Sequence, residues 1–478
     1  MLYAVMRRLA RIALGWYYRG IEISGLARVP ADAPLLIVAN HPNAVIDPML
    51  VATTLARRVT FTGKATLFDN PFLRFFLSAV GMVPLRRASD ERARRQAGGA
   101  PDPKRNEDAF RAVIDALAQR RAVLIFPEGK SHDEPAIAPL KTGTARMALQ
   151  ARAAGVRDLA ILPIGFVFED KGRPRTRILV EVGEPLSLDE WAGSSDGSDG
   201  RNSSDTVDCL TAEIDHRLRA VTMNFETASA AAEVARVSAM LAAEGFGALG
   251  SGTSWADVVA LSRRVDTARR LLDRATAAGG DCGRRSEALR SRLHDLEDAA
   301  RRERLDLRDA TIDISLGSGA WFIMREGVIT AAAAPVALLA RLLHWPALTL
   351  ARSVARRRSE SGSDPAMQTM LVGAPLVLLT WAAVTMIVWH FAGAVLAILS
   401  LLALPLLADC DFALRDRAER AHTRARAYLR FRRDPALQQR LIAALSGARN
   451  EAAALEHELL ASSAAGCRDA GRHATGAA

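Results

Sequence analysis

The chain has 478 residues, of which 50% are hydrophobic and 24% are charged, and its formal net charge is +10. This composition excludes wholesale disorder, and the length allows two or three domains with cores of their own. Arginine supplies almost all of the positive charge, since only 5 lysines occur, and an arginine excess suits an anionic membrane surface or a phosphorylated substrate.

Cysteine usage and the N-terminus bear on the compartment. The four cysteines lie far apart without a CxxC pair, so we expect neither a disulfide scaffold nor a zinc site. A reducing, cytosol-facing location fits this pattern. Arginines interrupt the apolar residues of the N-terminus, which lacks the continuous apolar stretch of a signal peptide, and we therefore do not expect a secreted soluble protein.

Residues 1–33 begin with apolar side chains at helical spacing and arginines on the opposite side. This pattern predicts an amphipathic segment at a membrane interface. The alternative is an ordinary amphipathic helix packed on the domain that follows.

Residues 34–191 alternate short apolar runs with amphipathic stretches. Strands are predicted at 35–39, 59–62, 82–85, 123–126, 160–168 and 177–182, and helices at 48–57, 71–79, 107–120 and 142–154. Strands separated by helices indicate an α/β domain with a mainly parallel sheet. Such sheets place their chemistry where strands end and loops begin.

The remainder of the chain is predicted to be helical and partly embedded in a membrane. Between 369 and 408 the only titratable side chain is His390, and that length suffices for two bilayer spans. Arginines flank both ends, which predicts a transmembrane hairpin over 366–408 with both ends in the cytoplasm. A buried helical pair in a soluble core is the alternative. The other predicted segments are a Gly/Ser-rich linker at 192–206, a helical region at 207–325, an interfacial or re-entrant helix at 326–345, and a basic cytoplasmic tail at 409–478.

A first candidate site follows the strand predicted at 35–39, in the sequence NHPNAVIDP. His41 is a candidate general base, and Asp47 is a carboxylate able to orient it and to stabilise the imidazolium. Five residues separate the two, so they would not share a face of a continuous helix. Pro42 and Pro48 favour a loop that folds Asp47 back to His41. The alternative is a helix-capping Asp next to an incidental loop His.

A second candidate, FPEGKSHDE, follows the strand predicted at 123–126. Glu128 beside Gly129 would let a carboxylate and backbone N–H groups approach a ligand closely, and the helix beginning near Thr142 offers its N-terminus to an anion. A simple turn between strand and helix is the alternative.

Basic residues also follow predicted strands. Arg pairs with phosphate oxygens in a bidentate fork, whereas Lys supplies a point charge. Lys is rare in this chain, yet Lys64, Lys130 and Lys141 all lie in these loops, and Arg86 ends the segment that starts at Gly81.

In chain order, the segments NHPNAVID, FTGKATLF, VGMVPLRR, FPEGKSHDE, PLKTGTARMA and ILPIGFVFED resemble the glycerolipid acyltransferase family. Members are membrane enzymes that acylate glycerol-3-phosphate and lysophosphatidate. The resemblance covers Ile21 to Leu188 and includes the four motifs of the family. Within the family, the chain is most similar to the glycerol-3-phosphate/dihydroxyacetone-phosphate acyltransferase-like branch. This similarity is carried by the sequences NHPNAVIDP and FPEGKSHDEPAIAPLKTG and by the segment from Arg177 to Pro185.

The resemblance implies a role for each matched position. His41 would remove the proton of the acceptor hydroxyl, and Asp47 would hold it. Arg86, in the second motif, would bind the acceptor phosphate. The other implied binding positions are Gly81 in the second motif, Glu128 and Gly129 in the acceptor-binding third motif, Lys64 and Lys141 as further phosphate contacts, and Pro163 in the fourth motif on the acyl-donor side.

Two departures from the family pattern stand out. The family's commoner form has four residues between the His and the Asp, and the longer form seen here also occurs in the suspected branch. The usual Thr-Arg-Ser after the Gly of the third motif is Lys130-Ser131-His132 in this chain. We therefore expect Lys130 to replace the Arg as a phosphate contact.

The implied function is membrane-bound O-acyl transfer in phospholipid biosynthesis. A fatty acyl chain would pass from acyl-CoA or acyl carrier protein to a hydroxyl of glycerol-3-phosphate or dihydroxyacetone phosphate, with no metal and no cofactor. The absence of a GxSxG elbow and of Cys in the motif loops argues against an acyl-enzyme. Lysophosphatidate acylation and an inactive membrane scaffold are the alternatives. We expect the inner (cytoplasmic) membrane, with the catalytic domain on its cytoplasmic face, and no nucleic-acid partner.

Overall fold

A computed structural model describes residues 2–85, 104–193, 203–246, 254–278, 281–358 and 364–475. Two compact units make up the chain. The first comprises Met1–Glu226 and Pro346–Leu379, and the second comprises Thr227–Trp345 and Thr380–Ala478.

An eight-stranded, mainly parallel sheet forms the centre of the first unit. Its strands are β1 (Gly20–Ser24), β2 (Leu35–Ala39), β3 (Val59–Lys64), β4 (Val83–Leu85), β5 (Ala122–Ile125), β6 (Ala160–Phe168), β7 (Arg177–Val182) and β8 (Leu186–Ser187). The order across the sheet is β1-β7-β6-β2-β5-β3-β4, with β8 beside β6. Both β7 and β8 run antiparallel to β6, whereas β2 pairs parallel with β5 and β6 on either side.

Helices cover both faces of this sheet. They are α1 (Leu2–Tyr17), α2 (Ile46–Thr54), α3 (Pro71–Ala79), α4 (Lys104–Ala118), α5 (Gly143–Ala153), α6 (Leu188–Gly193) and α7 (Ser203–Ala220). Leu35 and Ile37 of β2 join α1 and α2 in one core, whereas Leu36 and Val38 join α4, α5 and α7 in the other. A strand buried on both faces reads as a continuous apolar run, which is why LLIVA was recognisable in the sequence.

The prediction of an α/β domain with a mainly parallel sheet is confirmed. The strands predicted at 35–39, 160–168 and 177–182 have the predicted bounds. The helix predicted at 107–120 ends earlier, at Ala118, because Arg120 has a positive φ of 54° and its N–H turns back to the carbonyl of Leu117. Strand β1 was not predicted; it lies in the segment assigned to the membrane interface and pairs with β7 at the edge of the sheet.

Helix α1 belongs to the first unit. Leu14 and Tyr17 are buried in the core that contains α2, and the Arg7 guanidinium donates a hydrogen bond to the carbonyl of Leu55 at 2.5 Å. The opposite stripe of α1 exposes apolar side chains, namely Leu2, Val5, Leu9 and Ile12. The helix therefore packs on the domain and still presents an apolar surface.

The second unit is helical. Its core is formed by α8 (Ala228–Phe246), α10 (Asp281–Arg302), α13 (Ala394–Arg433) and α14 (Pro435–Thr475), together with Leu272 of α9 (Trp255–Ala278). Leu289, Leu293, Leu441 and Leu445 are among its buried side chains.

Three helices are long and apolar enough to cross a membrane, by length and composition, at Leu316–Val354, Val372–Ala392 and Ala394–Arg433. The first belongs to α11 (Leu316–Arg358), which contains and extends the predicted 326–345 segment, and the second belongs to α12 (Asp364–Ala392). Gly393 separates α12 from α13 with a φ of 84°, a conformation that favours glycine. Most of the predicted linker lies at 194–202, outside the described residues.

Candidate active site

The carboxyl ends of parallel strands meet at one edge of the sheet, and this brings the motif loops together. Val38 of β2 lies opposite Ile125 of β5, so the loops that start at Asn40 and Phe126 leave the sheet side by side. Strand β3 is the next neighbour of β5, which places the end of β3 about 10 Å from β2.

His41 and Asp47 are in direct contact. The Nδ1 atom of His41 lies 2.9 Å from Oδ2 of Asp47, which also accepts the backbone N–H of Asn43 at 2.8 Å. The loop reverses direction through Ala44, whose φ is 40°, and through the hydrogen bond from the Ile46 N–H to the Asn43 carbonyl. This turn brings the first residues of α2 back to His41, so the expected fold-back of Asp47 is present.

Burial controls the electrostatics of this pair. Asp47 is fully buried, and the loss of water raises the pKa of its carboxyl, although the hydrogen bonds from His41 and Asn43 act in the opposite direction. A raised pKa makes the carboxylate a stronger acceptor for the imidazole N–H. The other oxygen of Asp47, Oδ1, has no hydrogen-bond partner within the described residues.

The imidazole of His41 is held in one orientation. Its ring stacks on Phe126 with a centroid distance of 3.9 Å and an interplanar angle of 12°. A carboxylate only accepts hydrogen bonds, so in the neutral imidazole Nδ1 carries the proton and Nε2 is unprotonated. Asp47 occupies Nδ1 and the His41 side chain is 12% exposed, so Nε2 is the nitrogen available to a ligand.

Glu128 is directed at protein groups. Its Oε1 accepts the backbone N–H of His41 at 2.7 Å, and its Oε2 accepts the N–H of Ala138 at 2.7 Å and contacts Nε2 of His132. The side chain is almost completely buried, at 2% exposure. These contacts tie the third motif to the backbone of the first. The expected contact of Glu128 with the acceptor stays a prediction.

Sequence reasoning missed three residues that support this arrangement. His132 pairs with Glu128, Ser131 Oγ accepts the N–H of Ala44 at 3.1 Å, and Phe126 stacks on His41. The four-residue spacing from Glu128 to His132 was a usable signal for the first. Nothing in the sequence indicated that the other two would contact the NHPNAVID loop.

The basic candidates lie near this edge at different positions. Lys64 is the last residue of β3 and lies opposite Leu85 of β4. Both Lys130 and Lys141 are exposed. Gly81 ends the turn after α3 with a φ of 80°, and Gly129 turns the chain after β5 with a φ of 78°.

The remaining candidates are Arg86 and Pro163. Arg86 lies outside the described residues. Pro163 is buried in the middle of β6, opposite Val38, and its carbonyl accepts the N–H of Gly183 at 2.9 Å. Within the described residues, no group of three or more His, Cys, Asp or Glu side chains is arranged to hold a metal ion.

An α/β sheet with a His–Asp pair at the carboxyl edge of its strands is suited to general acid–base chemistry, and comparison with known proteins identifies the kind of domain. Residues 20–167 match the family model Acyltransferase. Glycerol-3-phosphate O-acyltransferase 2 of Saccharomyces cerevisiae is 38% identical over 120 residues, which cover 25% of this chain and 16% of that protein. The chloroplastic 1-acyl-sn-glycerol-3-phosphate acyltransferase LPAT1 of Arabidopsis thaliana is 26% identical over 148 residues, covering 31% of this chain and 37% of that protein. The matched region is therefore an acyltransferase domain, and the relatives named above are acyltransferases of glycerol-3-phosphate and of 1-acyl-sn-glycerol-3-phosphate.

Among solved structures, the 1-acyl-sn-glycerophosphate (LPA) acyltransferase PlsC from Thermotoga maritima aligns with a TM-score of 0.33 and 18% sequence identity, over 46% of this chain and 78% of that one. The chain spans well under half the length of both curated relatives named above, at 16% and 37%.

Proposed function

We propose that this chain is a membrane-bound O-acyltransferase that moves a fatty acyl group from a thioester donor to a hydroxyl of glycerol-3-phosphate or dihydroxyacetone phosphate. The observation that carries the proposal is the His41–Asp47 pair, at 2.9 Å, inside a domain that matches an acyltransferase family model. The yeast and plant relatives are named for glycerol-3-phosphate and 1-acyl-sn-glycerol-3-phosphate, which supports glycerol phosphates as the class of acceptor.

In the proposed step, the acyl group passes directly from the sulfur of the thioester donor to the hydroxyl oxygen of the acceptor. The acceptor hydroxyl gives its proton to Nε2 of His41 while its oxygen attacks the thioester carbonyl carbon. The C–S bond then breaks, the new ester C–O bond remains, and the imidazolium returns the proton to the leaving thiolate. Asp47 stabilises the imidazolium through the Nδ1 contact, and Glu128 holds the backbone of His41.

Lysine and arginine side chains are proposed to bind the acceptor phosphate. Lys64 at the end of β3 has the most direct support because its strand ends at the same edge of the sheet as β2. Lys130 and Lys141 in the third-motif loops, and Arg86 in the second motif, are the further proposed contacts. A cationic edge beside the general base would orient the hydroxyl of a small phosphorylated acceptor.

Lysophosphatidate is the second candidate acceptor. The plant relative is named for 1-acyl-sn-glycerol-3-phosphate, and its match extends over 148 residues compared with 120 for the yeast relative. The same constellation would serve either acceptor, since both present a hydroxyl close to a phosphate.

The proposal is tested by donor-dependent thiol release with the purified full chain in lipid nanodiscs. Palmitoyl-CoA and palmitoyl acyl carrier protein are each combined with glycerol-3-phosphate, dihydroxyacetone phosphate or lysophosphatidate, and the lipid product is identified by mass spectrometry. We expect thiol release to require an acceptor, with glycerol-3-phosphate or dihydroxyacetone phosphate preferred. Acylation of lysophosphatidate alone would support the second candidate, and no acylation of any acceptor with either donor would contradict the acyltransferase proposal.

We further propose that the apolar stretch 369–408 anchors the chain in the cytoplasmic membrane, with the catalytic unit on the cytoplasmic face. The polar half of α13 supports a surface position for the first half of α11. Arg417 forms a bidentate pair with Glu326 at 2.6 and 2.9 Å, and Arg341 pairs with Asp411 at 3.0 Å. In these contacts, Glu326 and Arg341 of α11 lie beside charged residues of α13 that follow its apolar run.

Cysteine labelling tests this topology. In a variant without the native cysteines, Ser318→Cys, Ser353→Cys and Thr423→Cys are introduced singly and exposed to a membrane-impermeant maleimide in intact cells. We expect all three to react only after permeabilisation, because an interfacial or re-entrant segment at 326–345 would keep both ends of α11 on the same side of the membrane as the polar half of α13. Opposite labelling of Ser318→Cys and Ser353→Cys would show instead that α11 crosses the membrane.

A further inference from the structure

A groove of about 390 Å³ lies within the second unit, between α8, α9, α10 and α14. Its lining is mostly aliphatic. Val234, Val265, Leu272, Leu289 and Leu293 contribute to the walls, and Val234 and Leu289 are also part of the buried core. Grooves of roughly 300–1,000 Å³ with apolar walls are typical of small-molecule sites.

One buried polar group in the lining is unsatisfied. Ser286 of α10 is 1% exposed, and its hydroxyl has no hydrogen-bond partner within the described residues. A helical serine ordinarily hydrogen-bonds a carbonyl of the preceding turn or water, and a buried hydroxyl without a partner costs free energy. A ligand with a polar atom near Ser286 would remove this cost.

The charged residues of the lining favour an anion. Four arginines, namely Arg264, Arg269, Arg290 and Arg449, line the groove together with a single acidic residue, Glu233. Carboxylates hold two of them in place. Asp273 lies 2.9 Å from Nη1 of Arg269 and 2.7 Å from Nη2 of Arg290, while Asp266 also pairs with Arg269 at 3.1 Å and Glu233 with Arg290 at 3.2 Å. A guanidinium group has five N–H donors, so a held arginine keeps donors for a ligand carboxylate or phosphate and loses little freedom on binding it.

We propose that this groove binds a single-chain lipid with an anionic head group. The aliphatic walls take the acyl chain, and Ser286 and the arginines take the carboxylate or phosphate. The size favours one chain over two, and the cationic lining favours an anionic head over a neutral one. All of the lining residues belong to the second unit, so this site is separate from the His41 chemistry and does not rest on the proposed function.

The test uses the full chain in phosphatidylcholine nanodiscs and a photoactivatable diazirine analogue of palmitate. Cross-linked peptides are mapped by mass spectrometry, and competition is measured with palmitate, lysophosphatidate and monoacylglycerol. We expect saturable cross-linking within residues 228–302 that palmitate or lysophosphatidate displaces at least tenfold better than monoacylglycerol. Palmitate alone would identify a fatty-acid site, and lysophosphatidate alone a site for a phosphorylated lipid.

Variants distinguish the groove from general binding to apolar helices. Ala268→Phe, which places a ring in the groove, is expected to lower saturable cross-linking at least tenfold, whereas Ala444→Phe at an exposed position of α14 should not change it. If Ala268→Phe is poorly folded, Ala453→Phe at the exposed rim is a second variant that fills the same groove. His41→Asn should bind the probe as wild type does. Cross-links confined to residues 364–408, equal displacement by monoacylglycerol, or unchanged binding in both filled variants would overturn the proposal.

Discussion

The variant His41→Asn should fold as wild type does and lose acyl transfer, with kcat/KM falling about 10²- to 10⁴-fold. The amide of Asn can donate to Asp47 in place of Nδ1, so the buried carboxylate keeps a partner, but the basic Nε2 atom is absent. His41→Ala should be as inactive and less stable, because it leaves the fully buried Asp47 carboxylate without its imidazole. The measurements are thiol release under kcat/KM conditions and unfolding by urea.

The variant Asp47→Asn, in the same His41–Asp47 pair, should affect activity and stability in different ways. We expect a loss of activity within the same range, because the amide oxygen can accept the N–H groups of His41 and Asn43 in place of Oδ2, but a neutral amide does not stabilise the imidazolium. The unfolding free energy should stay the same or rise. The folded state raises the pKa of this carboxyl, so its ionisation disfavours folding increasingly as pH rises from the ordinary aspartate pKa of 3.8 through the raised pKa. The advantage of the variant should therefore grow over that pH window. Activity retained in both His41→Asn and Asp47→Asn would refute the general-base role.

The variant Glu128→Gln should lower both stability and turnover. Each carboxylate oxygen accepts a backbone N–H, from His41 and from Ala138, and an amide must turn its NH₂ group toward one of these donors. Leaving a buried donor unpaired costs about 1–3 kcal/mol, and we expect a decrease of that size in the unfolding free energy. Because the two contacts together fix the side chain that anchors the backbone of His41, kcat should fall more than tenfold.

The matched control is Glu134→Gln, at an exposed position of the same segment, which should leave stability and kinetics unchanged. The kinetic pattern distinguishes positioning from direct binding. A higher KM for the acceptor, with kcat and unfolding free energy as in wild type, would mean that Glu128 contacts the acceptor, as the resemblance implied, and would contradict the positioning role.

Local sequence pattern was sufficient for most of the sheet. Strands β2, β6 and β7 were predicted at their observed bounds because apolar runs buried on both faces leave a strong signal. Strand β1 was missed since GIEIS is short, partly exposed and lies at the sheet edge, where burial constrains the residues less. Helix α1 was assigned to the membrane interface, and only its buried Leu14 and Tyr17 reveal that it also packs on the catalytic domain.

For the candidate site too, some features follow from the sequence and others only from the tertiary structure. The sequence by itself determined which candidate groups are present and in what order, including His41, Asp47 and the loop that connects them, because these depend on residue types and on spacing over a few residues. Only the tertiary structure decided what each group contacts. His41 and Glu128 are 87 positions apart, and their hydrogen bond exists because β2 and β5 are neighbours in the sheet. Strand order depends on the packing of distant segments, which local spacing does not encode, and so the contact between Glu128 and the backbone of His41 emerged only from the fold.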